Sequence, residues 1–225
     1  MRPAAALLLL LAACGRGGGD SHSESACPHD PSFDRSKVVR VKAEFPPAVL
    51  RRDLDLDALA KESEGSGVEG RTQGLTLVDS QLTFRTLVKA ETVRGRACVW
   101  FDQVIVDLTP ASVQIFVPRE YPEDTCEYQA VMAHERDHER VHQERLTAAA
   151  QEIEAALASA RWLPARGNPL ETGDRASVEA ALTDKIKKVV APVYAKYKED
   201  LRLAQAELDR PDLYQWTTKR CSGWK

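Results

Sequence analysis

The chain has 225 residues and a formal net charge of −3. That length suits one domain with appendages, and it is enough to bury a core without help from cross-links. The 31 basic and 34 acidic residues are interspersed; no basic stripe with interleaved aromatics occurs, so nucleic-acid binding has no support. The chain opens on a short basic start, Met1-Arg2-Pro3. An apolar run at 4–13 follows, too short to span a bilayer but with the flanks of a secretory signal.

That run ends in Leu11-Ala12-Ala13-Cys14, which resembles the lipobox of bacterial lipoprotein signal peptides. The resemblance implies that residues 1–13 are a signal peptide and that Cys14 carries lipid and anchors the chain to a membrane of the cell envelope. Residues 14–36 are rich in Gly and Ser and read as a flexible tether, with His22 and His29 as solvated tether residues. The folded domain is expected over 37–225. Setting Cys14 aside leaves Cys27, Cys98, Cys126 and Cys221, enough for two disulfides in an oxidising compartment. The expected pairing is Cys98–Cys126 and Cys27–Cys221, which would staple a sheet to a helix and tie the termini together.

Within the domain, 38–41 reads as a strand stopped by Pro46-Pro47. Residues 54–64 read as a short helix closed by Gly65-Ser66-Gly67 and Gly70. From Gly74 to Pro118 the apolar period becomes two, which predicts an antiparallel sheet of about four or five strands. Its last hairpin is expected to turn at 109–112 and return over 113–117. Asp124-Thr125 offers a helix N-cap. A helix of about 35 residues is expected from Glu127 to about Trp162, and a second from 174–177 to about Leu208. In the second, Val190, Tyr194, Tyr197, Leu201, Ala204 and Leu208 form a packing seam. The expected architecture is α+β: a small antiparallel sheet followed by a long antiparallel helical hairpin. The tail carries Tyr214, Trp216, Cys221 and Trp224, too aromatic to be free in solvent.

The first long helix carries the sharpest chemical signal. His134-Glu135-Arg136-Asp137-His138 fits H-E-x-x-H, and His142 follows. On a helix, positions i and i+4 share a face, so both imidazoles can reach one Zn²⁺, with Glu135 beside it as proton acceptor. The charged neighbours Arg136, Asp137, Glu139 and Arg140 also allow a plainer reading, a solvated helix face with local ion pairs.

Strands, then a hairpin, then a helix with H-E-x-x-H resemble zincin metallopeptidases, above all exported bacterial proteins described as predicted zinc-dependent proteases. The resemblance covers about 50 residues, from Val99 to Leu146. It implies a zinc cofactor, His134 and His138 as ligands, Glu135 as general base and acid, and a peptide or protein substrate aligned on the strand at 113–117. The third ligand is open. His142 lies about 12 Å along the helix from His134 and reads as a neighbour of the site rather than a ligand. The returning helix would bring Tyr194, Tyr197, Glu199 and Asp200 opposite His138, with Asp200 or Glu199 as the expected carboxylate and Glu152 as runner-up. Alternatives are a non-catalytic envelope lipoprotein that uses the helical hairpin as an interaction surface, and a metal-buffering protein.

Overall fold

A computed structural model describes residues 26–63, 72–213, 219–222 and 224. The signal peptide, Cys14, His22, the glycines at 65–70, Tyr214 and Trp216 lie outside the described residues. The fold is α+β, as expected.

The strands form two small sheets of mixed direction rather than one antiparallel sheet. In the first, β1 (Val39–Lys42) runs parallel to β5 (Arg96–Asp107), β4 (Thr83–Val93) pairs antiparallel with β5, and β7 (Leu170–Thr172) adds to one end of β5. In the second, β6 (Ser112–Phe116) is central, between β2 (Val49–Arg51), parallel, and β3 (Leu75–Asp79), antiparallel. The expected hairpin at 109–112 is therefore a crossover: β5 belongs to one sheet and β6 to the other. Alternation cannot distinguish the two, because a strand has the same period whichever neighbour it takes. β5 is the buried spine, with Cys98, Val99, Trp100 and Phe101 in succession below the surface.

Between β2 and β3 lies the short helix α1 (Leu56–Glu62), N-capped by the Asp55 side chain. The long helix α2 (Cys126–Ala158) is capped by Thr125, whose Oγ1 accepts from Tyr128 N at 3.3 Å. The second long helix, α3 (Arg175–Leu208), is capped by Asp174 and carries Pro192 inside it. The contacts of α2 with α3 run in opposite sequence order: His134 meets Asp209, His138 meets Gln205, and Glu152 meets Lys196.

Two apolar clusters hold the molecule together. The larger joins Phe101, Val104 and Val106 of β5 to Leu146, Ala149, Ile153 and Leu157 of α2 and to Leu182, Ile186 and Val190 of α3. The smaller joins Ile115 of β6 with Val117, Tyr121, Tyr128 and Val131, and Trp224 packs on it. One helix, α2, serves both, its first turns in the smaller cluster and its second half in the larger.

Two disulfides form, Cys27–Cys98 and Cys126–Cys221. The four expected cysteines are the ones used, but the expected partners are exchanged. The reason lies in the segment before β1. Residues 26–36 do not behave as a tether: Asp30 N donates to Gly167 O at 2.5 Å, Phe33 packs on the main core, and Cys27 lies beside β5. His29 Nδ1 is 3.1 Å from Asn168 Oδ1. The packed domain thus includes Cys27 and begins ahead of residue 37.

Candidate metal centre

Between Val131 and Leu146 the only buried residues of α2 are Glu135 and His138. They occupy the positions of the helix's inward stripe that apolar residues fill on either side. The plainer reading of the motif therefore holds for half of it. Arg136 pairs with Glu139, and Arg140 pairs with Asp137 and Glu144, all on the outer face. Glu135 and His138 face inward, 3% and 9% exposed. Burying two ionisable groups at core positions costs several kcal/mol unless partners compensate, so their partners define the site.

The histidines meet the end of α3. His134 Nε2 lies 3.1 Å from Asp209 Oδ1, His138 Nε2 lies 3.0 Å from the same oxygen, and the two Nε2 atoms are 3.0 Å apart. Three electron-pair donors thus form a near-equilateral triangle. Tetrahedral zinc with bonds of about 2.0–2.1 Å needs its ligand atoms about 3.3 Å apart, so a few tenths of an ångström of expansion would seat the ion. His134, His138 and Asp209 form a group that could bind a metal ion. The donor set of two imidazoles and one carboxylate suits a divalent transition-metal ion.

The electrostatics fit a cation at the centre of the triangle. Burial pushes the Asp209 carboxyl up, but hydrogen bonds from both histidines outweigh it and hold the group well below the usual carboxylate range. Burial disfavours charge on His138, but the Asp209 hydrogen bond and the Glu135 and Asp209 charges raise its pKa to about 9. In the metal-free protein a proton takes the place a metal ion would take.

Glu135 is held from the other side by the second sheet. Thr76 of β3 lies 2.8 Å from Glu135 Oε2 and 3.0 Å from the Glu135 carbonyl, its hydroxyl donating to either. Gly74, just before β3, leaves the space that the other carboxylate oxygen uses: a Cβ there would fall 2.4 Å from Oε1. Burial raises the pKa of Glu135, opposed by His138, His134 and the Thr76 hydroxyl.

The remaining expected residues lie elsewhere. Asp200 pairs with Lys196 at 2.8 Å and Glu199 with Arg202 at 2.7 Å, both on the solvent side of α3; Glu152 faces Lys196 at 3.9 Å. The carboxylate that joins the histidines is Asp209, the residue that caps α3. Tyr197 is core, and the Tyr194 hydroxyl bonds Ser80 O at 3.3 Å. His142 stays outside the triangle; burial, and then the neighbouring His138, lower its pKa to about 4. The strand expected to align a substrate, 113–117, is the centre of its sheet with both edges filled. The strand beside Glu135 is β3. No family model, curated protein or solved structure matches the chain, so the reading of the site rests on its own geometry.

Proposed function

We propose that the protein is a zinc-dependent metallopeptidase of the bacterial cell envelope, built on a zincin-like arrangement of sheet and H-E-x-x-H helix. The observation that supports this reading is the convergence of His134, His138 and Asp209 within about 3 Å of one another beside the buried Glu135. Bound there, zinc would polarise a scissile carbonyl and acidify a water molecule. The chain's own part is to hold the ion and manage the proton. Glu135 is buried, and its raised pKa brings it closer to neutrality than an exposed carboxylate, as a group that must both take and return a proton requires. Thr76 holds Oε2 and Gly74 makes room for Oε1; Glu135 would accept the proton from water and deliver it to the leaving amine.

An envelope location fits the two disulfides, which persist in oxidising compartments, and the lipobox-like Leu11-Ala12-Ala13-Cys14 would supply the membrane anchor. The test is Glu135→Gln in the full chain. It should bind zinc as the parent does and lose hydrolysis of a mixed peptide library; hydrolysis at the parental rate would sink the mechanism.

One observation favours a second reading. Glu135 is only 3% exposed, and structural zinc sites are closed. In that case the ion would staple α2 to the end of α3 in a non-catalytic lipoprotein that offers the paired helices to a partner. That reading expects zinc with no hydrolysis by the parent, and a large fall in thermal stability on chelation.

A further inference from the structure

Gln205 reaches from α3 to α2 with both ends of its amide. Its Nε2 donates to the backbone carbonyl of His138 at 3.1 Å, and its Oε1 meets His138 Nδ1. A carbonyl oxygen can only accept, so the NH₂ end must face it and the amide oxygen is left for the ring. The amide oxygen can also only accept, so Nδ1 must carry a proton. In the metal-free ring Nε2 also carries a proton, donated to Asp209 Oδ1 at 3.0 Å; once a cation displaces that proton, the ring is the Nδ1–H form, with the Nε2 lone pair facing the triangle.

We infer that Gln205 is a positioning residue of the metal centre: it selects the His138 tautomer whose Nε2 can donate to a cation, and it does so with a neutral amide. The inference rests on the metal reading of the triangle. Partners of this kind commonly orient ligand histidines, and a carboxylate in the same place makes the imidazole a more basic ligand. The amide fixes the ring without adding negative charge, so a bound ion keeps more of its own. This side chain also couples the two helices at the site, because the last turns of α3, beyond Leu201, bury no apolar side chain fully.

Two measurements on the full chain test the inference. The first is zinc affinity, read by competition with a chromophoric chelator. Gln205→Leu, which keeps the bulk and removes the acceptor, should bind zinc about 10–100-fold more weakly. Gln205→Glu, which restores an acceptor, should bind at least as tightly as the parent. Unchanged affinity in Gln205→Leu with parental helix content would overturn the inference. The second measurement needs no zinc: the ¹⁵N shifts of the neutral His138 ring in metal-free Asp209→Ala, where no carboxylate accepts from Nε2. Nδ1–H there supports the assignment and Nε2–H overturns it. A parent that binds no zinc, with Nδ1–H in this variant, would defeat the metal reading and leave the tautomer assignment standing.

Discussion

Gly74 and Glu135 fit together so closely that a single added carbon at position 74 would lie 2.4 Å from the carboxylate oxygen Oε1 and 2.6 Å from Val131 Cγ1. Both neighbours sit on one helix face packed between sheet and core, so neither can simply swing away. Gly74→Ala should therefore cost about 1–3 kcal/mol of stability, as overpacking does. It should also turn the Glu135 carboxylate, so hydrolysis should fall far more than zinc affinity. Thermal melts, zinc titration and peptide hydrolysis on the same variant check this.

Asp209 should behave as a ligand and Asp200 and Glu199 should not. Asp209→Asn keeps the shape and removes the charge shared by the two histidines. Zinc affinity should drop by at least tenfold, and His134→Ala and His138→Ala should abolish tight binding. Asp200→Asn and Glu199→Gln remove solvent-screened ion pairs on α3 and should leave zinc affinity at the parental value.

The stability of the metal-free protein should fall between pH 6.5 and 9. His138 has an ordinary value of 6.5 and a folded value of about 9. Its folded pKa is raised, so its charged form stabilises the fold fully below 6.5, and that contribution is lost as pH rises through 9. Zinc must displace the same proton, so zinc affinity should rise with pH over this window, by up to about tenfold per unit. Melting temperatures in chelator and in excess zinc, compared from pH 6 to 10, should diverge as pH rises. Parallel curves would refute the coupling.

Thr76→Val should shift the acid limb of the pH–rate profile upward. The Thr76 hydroxyl donates to Glu135 Oε2 and lowers its pKa against burial. Loss of a hydrogen bond to a charged group, worth about 1.5–3 kcal/mol, corresponds to about one to two pH units. A profile of kcat/KM against pH reads the shift directly, and an unchanged limb would mean that Glu135 does not govern it.

Much of the site was legible in residue types and spacing, and the part that was not has a specific cause. The two long helices follow from apolar spacing and their caps: α2 begins behind Thr125 and α3 behind Asp174. His134, Glu135 and His138 come straight from the motif. The facing carboxylate lies further along α3 because the connection between the helices is not a simple turn. It contains β7, which pairs with β5, and this shifts the register so that His138 faces Gln205 rather than a residue near 198. A signal for it does exist in the chain. Gln205 and Asp209 are four apart, the same spacing as His138 and His134, and two antiparallel helices bring such pairs into register. Sheet membership was not legible, because alternation fixes which face of a strand is buried and not which strand lies beside it. Nor was the disulfide pairing, because four cysteines permit three connectivities and only the docking of residues 26–36 on β5 decides between them.

The Cys126–Cys221 bond also changes what the chain can do when it is not folded. His134 and Asp209 are 75 residues apart along the backbone. Through the disulfide they are separated by the eight residues from Cys126 to His134 and the twelve from Asp209 to Cys221, a path of about 20 residues. For a flexible chain that short cut reduces the typical separation from roughly 50 Å to roughly 25 Å. Asp209 then sees the two histidines at a several-fold higher effective concentration. An oxidised chain that has lost its helices would still hold the three ligands close enough to recapture an ion, and the ion would return α3 to α2 first.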